Sequence, residues 1–331
     1  MSKSHVFFLS NNIVEKISKS ILKNIKNDED ILFLVTDRYR TNLKPKKNIK
    51  EVYEINIKSR YLFPMRWLKI KEGDRKIKDN VKCDFHLYLP YTHHFEVRLL
   101  MSHNMCSGFS IIEEGMTSYC KLEYANEKSG SKKESIKEKV SYLGRLGEKK
   151  FYRRGAERVF CVHRDAFPWA ENKNVLDIEF GKEKKTKNST IECVLVLDNP
   201  GYYEERIMAY SSALVEALKL LDKKYSKIHY KLHPVTYGNW KGAVLRNLVD
   251  RFGPQALEID RLASVEDLAA NTGADVVVNR SSVGFYCALF TECDVYSFRD
   301  IYASIVSTGE LKWSSCTPQV YWNHVQFLSD L

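Results

Sequence analysis

Several motif classes are missing from this chain, and each absence removes a chemistry. No G-x-G-x-x-G turn is present, which excludes the usual dinucleotide fingerprint, and no G-x-x-x-x-G-K-[ST] loop, which excludes a P-loop NTPase. There is no G-x-S-x-G elbow and no H-E-x-x-H pair, so an α/β-hydrolase and a zincin are also excluded. None of the eight cysteines forms a Cys-x-x-Cys pair, and no histidine cluster has zinc-ligand spacing. Most of the cysteines sit inside apolar segments, as reduced core thiols of a cytoplasmic protein would. No apolar run approaches the roughly 18 residues of a membrane span. The opening residues lead straight into a strand-like run at Val6–Leu9, without the pattern of a secretory signal.

What is present suits a folded protein with a sizeable core. The chain has 331 residues, 44% hydrophobic and 28% charged, enough for two domains of ordinary size or one large one. The formal net charge of +10 favours an acidic partner: nucleic acid, an anionic membrane surface, or a phosphorylated or carboxylated substrate. A lysine-rich solvated surface accounts for that charge equally well. The excess is concentrated in residues 121–158, which hold twelve Lys or Arg against six Glu. Lys121–Lys133 reads as a polar loop, and Ile136, Val140, Leu143 and Phe151 give the rest part of a helical stripe. The segment is either a solvated helix with its linker, or a basic lid or patch facing an anionic acceptor or a membrane.

Apolar periodicity organises the remainder. Short runs at Val6–Leu9, Ile31–Val35, Val52–Ile57, Phe85–Leu89 and Phe109–Ile112 predict strands. Helical spacing of Ile13, Ile17, Ile21 and Ile25, and a helix over His94–His103, separate some of them. Gly181–Asn188 has no apolar residue and predicts a linker. Alternation then restarts, with strands at Cys193–Leu197, Ile228–Leu232, Ala256–Ile259, Val276–Val278 and Val295–Phe298. Ile207, Leu214, Leu218 and Leu221 share one helical face, and helices follow over Val265–Ala270 and from about Val283. Runs this short, apolar on both faces and alternating with helices, predict α/β architecture with parallel, doubly wound sheets. The expected domains are residues 1–180 and 189–331.

Three strand ends carry chemistry. Glu113-Glu114-Gly115 follows Phe109–Ile112 directly, and a carboxylate at such an edge can serve as a general base. Adjacent residues cannot both face the same way, so one of the two points to the cleft and the other to backbone or a cap. Lys231-Leu232-His233-Pro234 ends its strand at the proline, leaving His233 at the carboxyl end, where an imidazole can donate to an anionic leaving group. Ser281-Ser282 opens a helix after Val276–Val278, and hydroxyls and backbone N–H groups there suit a phosphate. The plainer readings are surface acids, a turn histidine and an N-cap serine. His229, inside its strand, reads as structural.

The ordered set Glu113-Glu114-Gly115, His233-Pro234 and Ser281-Ser282 resembles the signature of the bacterial two-domain GT-B sialyltransferases, which include lipooligosaccharide sialyltransferases and capsular polysialyltransferases. The resemblance lies in these short motifs and their order rather than in extended identity. It implies two Rossmann-like domains facing across a cleft. It also implies inverting transfer of sialic acid or a related nonulosonic acid from a CMP-activated donor to a hydroxyl of a surface glycan. Carried over, the base is Glu113 or Glu114, with Glu113 favoured, and His233 assists departure of the CMP phosphate that Ser281 and Ser282 hold. Gly115 and Pro234 complete their motifs. The second domain binds the donor, and no metal or other cofactor is implied. Asn199, in the turn after Cys193–Leu197, and Asp260, after Ala256–Ile259, would border the nucleotide, and Lys231 would lie on the donor side. The expected partners are a CMP-nonulosonic acid and a glycan or glycolipid acceptor, in a cytoplasmic protein with an optional peripheral contact to an anionic inner membrane surface.

Two alternatives stand beside this. A GT-B transferase using a UDP- or GDP-sugar, or CMP-Kdo, would place Lys231 and Arg280 on a diphosphate or exchange the sugar. A basic nucleic-acid-binding protein would explain the charge, but no binding motif accompanies it.

Overall fold

Strands of five or six residues persist in this protein where helices cover both of their faces. In the computed structural model, residues 4–26, 29–35, 39, 41, 43, 49–54, 65–81, 83–128, 140, 142–145, 149–181, 191–200, 204–306 and 319–330 are described. They form two compact units, Met1–Ile178 and Glu179–Leu331.

The first unit is built on β1 (Ser4–Leu9), every residue of which is buried. It is joined by β2 (Asp30–Val35), β3 (Ile49–Glu54), β4 (Phe85–Leu89), β5 (Cys106–Ile112), β6 (Val159–Cys161) and β7 (Lys173–Val175). The order is β3-β2-β1-β4-β5-β6-β7, with every pair parallel. The helices are α1 (Asn12–Leu22), α2 (Met65–Asn80), α3 (Phe95–Met101) and α4 (Leu122–Lys128). Helix α1 starts where the Asn11 side chain accepts the Val14 N–H, and it buries Ile13, Ile17 and Ile21 on one face. The third strand begins earlier than its sequence run, at Ile49, and residues 55–57 of that run lie outside the described residues. Part of the expected polar loop is helical as α4, because Leu122 and Ala125 find buried places. The expected stripe is not continuous: Phe151 is buried, Val140 is exposed and Leu143 sits in a left-handed turn (φ 58°), while Ile136 lies outside the described residues.

The second unit repeats the plan. Its strands are β8 (Cys193–Leu197), β9 (Lys227–Leu232), β10 (Gln255–Glu258), β11 (Asp275–Val278), β12 (Val295–Ser297) and β13 (Gln326–Phe327), ordered β10-β9-β8-β11-β12-β13 and all parallel. Its helices are α5 (Glu204–Lys224), α6 (Trp240–Phe252), α7 (Val265–Thr272), α8 (Ser282–Phe290), α9 (Arg299–Ile305) and α10 (Gln319–Trp322). Leu214, Leu218 and Leu221 of α5 pack with Leu195, Leu232, Val277 and Leu328 in its core. The final stretch closes on this core, with Tyr321 buried and stacked on Phe285 at 6.2 Å. Gly181, the first residue of the expected linker, donates its N–H to Asp267 Oδ1 at 3.1 Å, and residues 182–190 lie outside the described residues.

In each sheet the winding direction reverses beside the first strand, between β1 and β4 and between β8 and β11. Open α/β sheets bind ligands outside the carboxyl ends of strands at such points. No described helix is long and apolar enough to cross a membrane.

Candidate active site

Strand alternation decides how the two adjacent acids divide. Ile111 and Ile112 are fully buried at the end of β5, and Glu113 is turned inward after them, with no exposed surface. Its Oε1 accepts the Tyr119 hydroxyl at 2.7 Å, and its Oε2 accepts the Val162 N–H at 2.8 Å. Its own N–H donates to Phe160 O at 2.8 Å. Glu113 thereby fastens β5 to the end of β6 and to the 3-10 turn Met116–Tyr119. Burial, reinforced by the Glu113 charge, holds the Tyr119 hydroxyl protonated far above the ordinary tyrosine range. The residue favoured as base, Glu113, is thus the buried member of the pair, and Glu114 is the partly exposed one. Its backbone is held at both ends. The Glu114 N–H donates to Ser118 Oγ at 3.3 Å, and its carbonyl accepts Asn11 Nδ2 at 2.9 Å. Gly115 has φ 149° and ψ −158°, a conformation that is essentially glycine's alone. The third residue of the motif is thus needed for the turn rather than as a ligand.

In the second unit, the ends of β8, β9 and β11 bring Asp198, Asn199, His233, Ser281 and Ser282 to one edge of the sheet. The half-buried His233 accepts the Val235 N–H on Nδ1 at 3.2 Å. In the neutral ring the proton then resides on Nε2, which makes that atom a donor. The turn is closed by Thr236, whose N–H and Oγ1–H both donate to His233 O at 2.8 Å. Burial holds the imidazole below the usual histidine range, against the opposing charge of Asp198.

Asp198 is the organising acid of this edge. Its Oδ2 accepts the Arg280 N–H at 3.1 Å, and its own N–H donates to Tyr210 Oη at 2.9 Å. Burial pushes its carboxyl up, opposed by the Arg280 bond and by the charges of His233, Arg280 and Arg299. After β11 the Ser281 Oγ accepts the Val283 N–H at 3.3 Å and caps α8, whose first residue is Ser282. Helix α8 lies close to the sheet because residue 284 is glycine: a Cβ there would stand 2.9 Å from Val278 Cγ2. Buried Ser297 links β12 to the same edge, donating to the Asn279 carbonyl and accepting the Arg299 N–H at 3.2 Å. The edge therefore presents an imidazole N–H and a capped helix N-terminus, an arrangement suited to one phosphate.

The remaining candidates sit further out. Lys231 does not reach this edge as a free cation: its Nζ donates to Ala263 O, and Glu266 and Asp260 contribute the nearby negative charge. Exposed Asp260 caps its own turn, its Oδ1 accepting the Leu262 N–H at 2.7 Å. Pro234 is exposed in the turn after β9. Asp198 and Asn11 were not singled out from the sequence as individual residues. Asp198 shares one signal with Glu113, an acid directly after a buried apolar strand. Asn11 reads as a helix cap, and its second bond, to Glu114, spans too many residues to be anticipated. Among the described residues, no group of three or more His, Cys, Asp or Glu is placed to hold a metal ion.

No protein-family model matches the chain, and no curated protein matches it in sequence. Its fold is nevertheless shared with solved structures. The chain is similar to the GT-B domain of a sialyltransferase from Photobacterium damselae, at 13% identity and a TM-score of 0.51, covering 98% of this chain and 99% of that one. It is also similar to the UDP-GlcNAc 2-epimerase of Methanocaldococcus jannaschii in complex with UDP-GlcNAc and UDP, at 14% identity and a TM-score of 0.54, covering 90% and 84%. The UDP-GlcNAc 2-epimerase of Neisseria meningitidis bound to UDP-GlcNAc aligns at 12% identity and a TM-score of 0.51, covering 99% and 95%. At such identities the likeness defines the fold: α/β, with two Rossmann-like domains of the GT-B type.

Proposed function

We propose that the protein is an inverting glycosyltransferase that moves sialic acid or a related nonulosonic acid from its CMP-activated form to a hydroxyl of a bacterial surface glycan, capsule or lipooligosaccharide. The observation that carries this reading is the single-phosphate edge of the second unit, where His233 offers Nε2–H beside the capped N-terminus of α8. CMP leaves as a phosphate monoester, and fixed donors can stabilise the charge it gains. The sugar centre becomes oxocarbenium-like as the bond to phosphate breaks, as in glycoside hydrolysis. Glu114 takes the proton of the acceptor hydroxyl as the new glycosidic bond forms, and a single base with no protein nucleophile gives inversion. Glu113 has a supporting role, fixing the turn from which Glu114 projects. The donor carries its own leaving group, so the reading calls for no further cofactor. Any contact with the inner membrane surface would be mediated by basic residues.

The test is a thermal shift series with CMP, UMP and GMP, followed by a donor screen of CMP-Neu5Ac, its nonulosonic analogues, CMP-Kdo and UDP-sugars. The expected result is stabilisation by CMP above the other two nucleotides, and turnover with a CMP-nonulosonic acid. Equal stabilisation by all three nucleotides would remove the CMP assignment, and preferential stabilisation by UMP would move the protein to the UDP-sugar users.

A further inference from the structure

We infer that the first unit carries a second ligand site, for a small phosphate, free or as a monoester, at the edge of its sheet opposite the proposed base. The site is a pocket of about 230 Å³, lined by Asp74 and Lys78 of α2, by Ser102, His103 and Asn104 of the turn between α3 and β5, and by Arg145. That turn precedes β5, whereas Glu114 follows it. The strand has seven residues, so at about 3.3 Å each it separates the pocket from Glu114 by roughly 20 Å. A molecule bound here is therefore neither the donor nor the acceptor of the proposed transfer.

The fold sets the donors of this pocket. His103 is buried, its ring 5.6 Å from that of Phe85, and its Nδ1 accepts the Met105 N–H at 3.2 Å. In the neutral ring the proton then sits on Nε2, which makes that atom a donor and not a metal ligand. Burial holds the imidazole below the usual histidine range, against the Asp74 charge and with the charges of Arg145 and Lys78. The Nε2–H has no hydrogen-bond partner, and Asp74 Oδ1 stands 3.8 Å from it. A buried donor left in this way is costly, and a small shift of the partly exposed Asp74 side chain admits a ligand oxygen to it. Arg145 is fixed by three bonds: Nη1 to Asp74 Oδ2 at 2.5 Å, Nη2 to Leu99 O at 2.7 Å and Nε to Ser102 Oγ at 3.4 Å. Two of its five N–H groups are left over. Arg145 matches the charge of Asp74, so Lys78 leaves the pocket net positive. Donors on α2, on the turn before β5 and at residue 145 converge from different directions, which suits a tetrahedral phosphate better than a flat carboxylate. Asp74 Oδ1 is placed to accept a hydroxyl from the organic part of a monoester.

Titration calorimetry on the full chain tests this with inorganic phosphate, glucose 6-phosphate and glucose, comparing the wild type with Lys78→Glu at an exposed position of α2. At least one phosphate probe should bind the wild type about tenfold more tightly than the variant, and glucose should not distinguish the two proteins. A preference for glucose 6-phosphate identifies a monoester as the ligand, and equal binding of inorganic phosphate identifies the free ion. Hydrogen exchange with the tighter probe should slow at residues 99–106 and stay unchanged at residues 113–119. Absence of binding by either phosphate probe at about 5 mM overturns the inference. So does affinity that Lys78→Glu leaves unchanged, or protection confined to residues 233–236 and 279–283, which would assign the phosphate to the edge of the second unit. If Lys78→Glu does not fold, Asn104→Asp, also exposed, should still weaken the phosphate probe several-fold, and an unchanged affinity overturns the inference equally. The CMP thermal shift should be the same in wild type and variant, so its absence from both refutes the proposed transferase and leaves this site standing.

Discussion

Glu113 and Glu114 are one residue apart, yet their surroundings oppose each other. Glu113 has both oxygens occupied by donors from two other segments, and Glu114 keeps its side chain partly in solvent. Glu113→Gln places an amide NH2 against one of those donors and should cost about 1–3 kcal/mol of stability. Glu114→Gln should leave the melting temperature and CMP binding nearly unchanged while lowering kcat about 100-fold or more. A Glu114→Gln enzyme with full turnover would return the base to Glu113 or to another segment. For His233, burial lowers the folded-state pKa, so near pH 6.5 the unfolded chain takes up a proton that the folded chain refuses. Its contribution to stability is therefore intact well above that pH and is lost as pH falls. Thermal melts between about pH 7.5 and 5.5 should show a shallower acid loss in His233→Gln than in the wild type. Asp198 supplies the opposing influence, so NMR titration of Asp198→Asn should find His233 protonating at still lower pH.

At the level of elements, the turns after strands carry the function, and Gly115 is the most constrained of them. A side chain at φ 149° should cost about 1–3 kcal/mol. Gly115→Ala should therefore lower the melting temperature, and it should lower turnover further by moving Glu114, with no change in CMP affinity. Equal activity in the alanine variant would show that the turn tolerates another path. The strands and their ends were legible because runs such as Val194–Leu197 and Val276–Val278 are apolar on both faces and stop at polar residues. Other elements gave weaker signals. In α2 only Ile70 and Ile77 are buried, too few for a periodic stripe, and β7 is a polar Lys-Asn-Val edge. The direction of each acid could not be read from the motif, since it depends on Tyr119 and on Val162, a residue 49 positions away.

For the whole molecule, the two α/β series in the sequence became two sheets, each with its winding reversal beside the first strand. The division of labour predicts where ligands leave a footprint in hydrogen exchange. CMP should slow exchange near residues 198–200, 233–236 and 279–283 of the second unit, while residues 113–119 of the first remain as they were. Protection by CMP confined to the first unit would reverse the proposed assignment of donor and acceptor halves. One further consequence comes from the position of β1. Its partners are β2 and β4, with Ser4 paired to both Asp30 and Phe85, and among the described residues every pair in the sheet is parallel, so none is a hairpin that could form first. A strand made at the start of synthesis must wait for residues made some 80 positions later before its second edge is covered. Parallel sheets of this kind fold slowly and expose sticky edges meanwhile. Recovery of this protein from expression should therefore depend on chaperone supply and low temperature, with insoluble material rather than proteolysis as the main loss.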